Sequence, residues 1–176
     1  MVGACARTGS NGAVFDAMRD QDALLYLALG DLHYQNIDVD DAGVYRTAYR
    51  RMLTQAGPAD LYRSTPLAYV WDDHDYGPND SDSSAPGRDT ARAIYREMVP
   101  HHPLVVETDG PIHHAFSIGR VRVVMTDSRS ARDAESMLGA DQVDWLTDEI
   151  IEASRTHAVV LWGNPVPWVS ESADGW

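Results

Sequence analysis

At 176 residues, 44% of them hydrophobic, the chain has the size of one domain with its own core. A net charge of −13 and a pI near 4.7 argue against nucleic-acid binding and against attraction to anionic membranes, both of which want a basic face. No run approaches the roughly 18 apolar residues of a membrane span, and no basic-then-apolar leader opens the chain. An anionic substrate would therefore need metal ions or placed arginines to reverse the local field. Cys5 is the single cysteine, so no internal disulfide can form and compartment cannot be read from cysteine usage.

The opening Met1-Val2-Gly3-Ala4-Cys5 reads as the tail of a strand, as expected of a piece of a longer protein. Cys5 then precedes a Gly/Ser-rich turn; such a residue is ordinarily a small buried hydrophobe, with a ligand role left open. Ser10 can cap a short helix through Val14, Phe15 and Met18. The continuous apolar run from Ala23 to Leu29 predicts a strand buried on both faces, ending at Gly30-Asp31. Val44, Ala48 and Met52, with Tyr45 and Tyr49 alongside, recur at helical spacing until Gly57-Pro58. Leu67 to Trp71 is the next strand, and Gly77 to Arg88 has the Gly, Pro, Ser and Asp content of a long exposed loop. Ala91, Ile94, Tyr95 and Met98 mark a helix stopped by Pro100. His114 to Ile118 and Val121 to Thr126 flank Gly119-Arg120, the spacing of a β-hairpin. Asp141 is placed to cap a helix through Val143, Leu146 and Ile150, and Ala158 to Trp162 reads as a last buried strand. Strands and helices mixed in this way predict a layered α/β domain.

Three acidic stations follow three of these strands: Gly30-Asp31-Leu32-His33-Tyr34, Trp71-Asp72-Asp73-His74-Asp75 and Thr126-Asp127-Ser128-Arg129. Ligands in open α/β sheets bind beyond the carboxyl ends of strands. Three carboxylates and an imidazole within four residues repel one another unless a cation sits among them; the alternative is a solvated acidic loop with a chance histidine. Carboxylates with a phenol suit hard ions such as Fe³⁺, Ca²⁺, Mg²⁺ or Mn²⁺. Taken alone, Tyr34 reads more simply as a buried aromatic and Asp31 as a turn residue. His33, His101, His102, His113, His114 and His157 read as structural or surface groups. Trp168 and Trp176 could line a cleft, though packing is the simpler reading.

Cys5, Gly30-Asp31-x-x-Tyr34 and the run from Trp71 to Asp80 together resemble the alkaline phosphatase D family. Asp127-Ser128-Arg129-Ser130 and Leu138-Gly139-x-x-Gln142-x-x-Trp145-Leu146 extend the likeness over nearly the whole chain. That family belongs to the calcineurin-like metallophosphoesterases, which are related to purple acid phosphatases. The resemblance implies an α-β-β-α layered sandwich and hydrolysis of phosphate mono- or diesters by a metal-activated hydroxide. It implies Fe³⁺ together with Ca²⁺, with Mn²⁺, Mg²⁺ or Zn²⁺ as further candidates. By position, Asp31 matches the metal-bridging carboxylate, Tyr34 the phenolate on iron and Cys5 a thiolate ligand. Asp73 matches a further ligand, Asn79 a candidate oxygen ligand and His74 the catalytic imidazole. Arg129 is a candidate for steadying phosphate oxygens, its alternative being an ion pair with Asp127 or a neighbouring acid.

Relatives carry a later Gly-Asp-x-His block whose histidine completes the metal shell, and nothing after Ala158 supplies it, although Asn164 could serve as a ligand by analogy. Residues 1–176 are accordingly expected to be part of a metallophosphoesterase catalytic domain, with the C-terminal half of the sandwich missing, an apolar face exposed and weak or no activity alone. A non-catalytic cation-binding domain of the same fold is the alternative reading, and a different hydrolase on the scaffold a third. An extracellular or periplasmic location follows from the resemblance alone.

Overall fold

A computed structural model describes residues 1–6 and 12–167; the expected Ser10 cap, Trp168 and Trp176 fall outside the described residues. In chain order the elements are β1 (Val2–Gly3), α1 (Gly12–Arg19), β2 (Tyr26–Leu29), α2 (Ala42–Thr54), α3 (Pro58–Ser64) and β3 (Leu67–Val70). Then come α4 (Asp73–Tyr76), α5 (Arg88–Met98), β4 (His114–Ile118), β5 (Val121–Met125), α6 (Ala140–Thr156) and β6 (Val159–Gly163). The strands form two three-stranded sheets. In the first, β2 lies between β1 and β3 and all pairs are parallel. In the second, β4 and β5 make the antiparallel hairpin expected around Gly119-Arg120, and β6 adds to β5 in parallel.

Strand β2, flanked on both sides within its sheet and covered on both faces, has no polar face to show and reads as a continuous apolar run; β3 lies at the sheet edge yet is buried from Ala68 to Val70. The period of two along β5 places the layers: Val123 and Met125 join the main core with Leu27, Tyr69 and Phe116, whereas Val124 points into a second cluster with Leu146 of α6. Helices α2 and α5 line the main core through Tyr45, Tyr49, Met52, Ile94 and Tyr95. Helices, two sheets and α6 thus form the α-β-β-α arrangement implied by the sequence.

Several boundaries depart from expectation for physical reasons. The strand starts at Tyr26 rather than Ala23, and Leu24, 87% exposed, lies before it. The buried stripe of α2 runs through Tyr45, Ala48, Tyr49 and Met52, with Val44 turned outward; Asp41 caps the helix through Gly43 N at 2.7 Å. Gly57-Pro58 does not close α2 but opens α3, because proline at the first helical position gives up an N–H that had no partner to lose. Asp141 is not the cap of α6; Gly139 occupies that position at φ 72°, which favours glycine. The segment from Gly77 to Arg88 is not simply exposed, since Ser81, Ala85 and Gly87 are buried. Strand β6 ends at Gly163 and is not buried: Leu161 pairs with inward-facing Val123 yet is 44% exposed, and Val159 is 46% exposed.

Candidate metal centre

The two parallel strands β2 and β3 end side by side and deliver Gly30-Asp31 and Trp71-Asp72-Asp73 to one place. They approach so closely that a Cβ on Gly30 would lie 2.4 Å from the Asp72 Cβ and 2.8 Å from its backbone nitrogen. Gly30 also adopts φ 86°, so both the space and the backbone there require glycine. Beyond it the chain holds unusual conformations: Asp31, Tyr34 and Asn36 have φ of 56°, 59° and 51°, and Cys5 beside them 55°. Left-handed backbone at four non-glycine residues in one small region is strain maintained by surrounding contacts, of the kind found at ligand sites.

Asp75 maintains much of it. The carboxylate is 1% exposed and accepts from Leu32 N at 2.8 Å, His33 N at 2.9 Å, Tyr34 N at 3.3 Å and Tyr69 Oη at 2.6 Å. It is therefore a structural anchor that pins the loop carrying Asp31 and Tyr34 onto α4. One turn of helix, α4, exposes different atoms of the acidic run to different neighbours, which is how four adjacent polar residues divide their work.

Asp31, Asp73 and His74 are brought together: one ligand atom from each lies within 4.8 Å of the others, and all three residues are buried. The Asp31 Oδ1 is buried without a hydrogen-bond partner. Its other oxygen, Oδ2, accepts from the Cys5 thiol at 3.4 Å. Burial, followed by the charges of Asp75, Asp72 and Asp73, pushes the Asp31 carboxyl up to about 8. An orphaned carboxylate oxygen held beside further acids is a cation receptor in its chemistry, and the donor set of two carboxylates and an imidazole fits a metal ion. Partial burial and then the Asp31 charge push the Cys5 thiol up to about 12, so the sulfur keeps its proton in this arrangement.

The other expected residues have well-defined neighbours. Tyr34 stacks its ring on His74, centroids 3.7 Å apart. Asp73 Oδ2 accepts from Asp80 N at 2.6 Å, which fixes the carboxylate. Asn79 is exposed and its amide nitrogen donates to Asp80 at 2.6 Å. Arg129, 3% exposed, donates from Nε to Asp72 at 2.6 Å and from Nη1 to Ser81 O at 3.3 Å, with Nη2 3.8 Å from Asp73. Burial opposes the guanidinium charge, but Asp72, Asp73 and Asp80 together hold the group above its ordinary range. The ion-pair partner is thus Asp72 rather than Asp127. Burial raises Asp72 in turn, and Arg129 opposes that shift.

The third acidic station belongs to the scaffold. Asp127 is fully buried and accepts from Trp71 Nε1, Ile112 N, Arg129 N, Ser130 N and Ser130 Oγ, at 2.6–3.0 Å. Asn164 also has its oxygen occupied, by the Thr126 and Ser128 hydroxyls at 2.9 Å. Two residues that sequence reasoning passed over matter here. Asn36 bonds His74 Nδ1 through its side-chain oxygen, and Gln142 bridges both Asp127 N and Asp127 O. Gln142 lies within the quoted Leu138-Gly139-x-x-Gln142 motif; for Asn36 the one signal was its tolerance of left-handed backbone two residues after Tyr34.

Comparison with known proteins bears on this arrangement. A structure of PhoD matches with a TM-score of 0.80 at 17% sequence identity, over 96% of this chain and 41% of that chain. The present chain therefore spans about two fifths of the length of that relative, and the likeness establishes the fold. No curated protein sequence matches the chain. The family model for PhoD-like phosphatases matches residues 1–173. With nearly every residue inside that match, the chain belongs to the PhoD-like phosphatase family.

Proposed function

We propose that this chain carries a cation-dependent phosphoesterase site, in which Asp31 and Asp73 hold the cation and His74 lies beside it. The observation that carries the reading is the convergence of three buried donor atoms within 4.8 Å, one carboxylate keeping an oxygen without any protein partner. Fe³⁺ with Ca²⁺ is the proposed content, on the family resemblance and the oxygen-rich donor set. Such ions supply positive charge for a phosphate group and acidify a water.

The chain's own residues would then act as follows. Asp31 and Asp73 bind and orient the cation, with Cys5 and Tyr34 beside them as further ligands. His74 faces the same space and is the group placed to stabilise or protonate a leaving oxygen. Arg129 keeps Asp72 and Asp73 in place, and its Nη2 is the donor available to a phosphate oxygen. Asn79, whose amide nitrogen is bonded to Asp80, would join through its side-chain oxygen. An extracellular or periplasmic setting is proposed from the resemblance; among the described residues no helix is long and apolar enough to cross a membrane.

The engagement of Arg129 by Asp72 favours one second reading, a cation-binding domain without turnover. Chromogenic phosphate mono- and diesters separate the two when assayed with added Fe³⁺ and Ca²⁺. Turnover that disappears in Asp31→Asn and Asp73→Asn supports the phosphoesterase; bound metal with no turnover of either ester supports the second reading and overturns the first.

A further inference from the structure

We propose that Gln142 is a positioning residue for Arg129: its carboxamide stands in for a strand partner just past the end of β5 and fixes the turn that aims the guanidinium at Asp72 and Asp73. The inference rests on the proposed phosphoesterase site, in which Arg129 faces the phosphate. Strand β5 pairs with β6 as far as Met125 and Gly163, and Thr126 N still donates to Gly163 O at 3.1 Å. One residue further on, the partner comes from α6 instead. Gln142 Oε1 accepts from Asp127 N at 2.8 Å, and Nε2 donates to Asp127 O at 2.9 Å and to Leu138 O at 3.2 Å. An amide that bonds both the N–H and the C=O of one residue reproduces a rung of a β-ladder.

The place of Gln142 on its helix shows that this use is not capping. It is the third residue of α6, where a glutamine ordinarily reaches back to the N–H of its own helix cap. Here Ser136 Oγ takes the Gly139 N–H at 2.8 Å, which leaves the Gln142 amide to Asp127. With its backbone held, Asp127 turns its carboxylate under the next residues and accepts from Arg129 N at 3.0 Å and Ser130 N at 2.9 Å. Arg129 then reaches Asp72 through Nε and Ser81 O through Nη1, with Nη2 3.8 Å from Asp73. Gln142, Asp127 and Arg129 are all buried, so water does not compete for the bonds that link them.

The test is a substitution whose hydrogen bonding can be switched. A protonated glutamic acid offers Asp127 one donor and one acceptor, as the amide does, whereas the carboxylate only accepts. Burial raises the pKa of such a carboxyl, so Gln142→Glu carries the proton at about pH 6 and has lost it by about pH 8.5. The readout is ¹⁵N NMR of the Arg129 Nε–H in metal-free protein, assigned by the signal lost in Arg129→Lys. Gln142→Glu should match the wild-type protection from solvent exchange at the lower pH and lose about tenfold at the higher one, and Gln142→Met should lose it at both. A glutamine that merely fills space would move Tm without this pH switch at the guanidinium. Protection of Arg129 Nε–H unchanged from wild type in both variants overturns the proposal. Where the variants fail to fold, native-state exchange of the wild type decides. Gln142 Nε2–H and Arg129 Nε–H should open with the same urea dependence, and an Arg129 signal that opens first on its own overturns the proposal. With saturating Ca²⁺, inorganic phosphate should bind Gln142→Glu about tenfold more weakly than wild type at the higher pH only. If the Arg129 signal responds as expected while phosphate affinity does not and no ester is hydrolysed, the positioning role stands and the phosphoesterase reading fails.

Discussion

Replacing Asp75 by alanine should unfold the site from beneath. The carboxylate receives three backbone N–H groups and the Tyr69 hydroxyl, at 2.6–3.3 Å. Leu32, His33 and Tyr69 are buried, so water does not reach their donors easily, whereas the Tyr34 amide is only partly buried. A buried donor left unsatisfied costs about 1–3 kcal/mol, and three of them with some relaxation amount to roughly 3–5 kcal/mol. Against a total stability of about 5–15 kcal/mol that is a large fraction. In a domain of this size it corresponds to a fall in Tm of roughly 8–16 °C. Tyr69→Phe removes one of the four donors, and with it the hydroxyl that bonds Tyr49, and should cost about 1–2 kcal/mol. Thermal and urea unfolding of both variants measure the difference, and cation titration should show weaker binding in Asp75→Ala because the loop presenting Asp31 has lost its anchor. A loss below about 1 kcal/mol in Asp75→Ala, with cation affinity unchanged, would refute the anchoring role.

Two other outcomes are expected. Gly30→Ala forces a methyl group into the Asp72 backbone at a left-handed position and should lose about 2–4 kcal/mol in urea unfolding; a stability within about 0.5 kcal/mol of wild type would show that the two strand ends are not so close. The metal-free protein should also lose stability as pH rises. The Asp31 carboxyl is held near 8 when folded against 3.8 as the reference value, so its contribution is complete below about 3.8 and declines up to about 8. The slope in that window is about 1.4 kcal/mol per pH unit for one proton. Saturating cation or Asp31→Asn should flatten the curve, and an unchanged slope in Asp31→Asn would assign the effect elsewhere.

Much of the architecture was legible because burial on both faces leaves a plain trace: the runs at Tyr26 and Leu67 could hardly be anything but interior strands. The hairpin around Gly119-Arg120 was equally readable from its two-residue spacing. Less legible was which carboxylate does what. Asp31, Asp75 and Asp127 look alike in the chain, each an acid at or just beyond a strand end. Asp127 is saturated by five donors, Asp75 by four, and Asp31 keeps a bare oxygen; that distinction is made by loops arriving from elsewhere in the fold. Arg129 was similarly ambiguous, because a guanidinium near acids reads the same whether its partner is a phosphate or Asp72. Asn36 escaped notice because its role depends on a backbone angle. The exposed face of β6 was unforeseen at the level of its own sequence, which is as apolar as that of β2.

Two bonds tie the first sheet to the second beside the acidic cluster: Trp71 Nε1 to Asp127 at 2.9 Å and Arg129 Nε to Asp72 at 2.6 Å. Asp72 follows the last strand of the first sheet, and Asp127 and Arg129 follow the middle strand of the second. The cluster therefore sits over a seam, and its charges are arranged correctly only while the sheets keep their docked register. Linkage makes the relation reciprocal: a cation that prefers the docked arrangement must also strengthen the docking. Filling the site would act as a rivet between two halves of the sandwich, and any strain that slides one sheet along the other would be felt first as a loss of affinity for the ion.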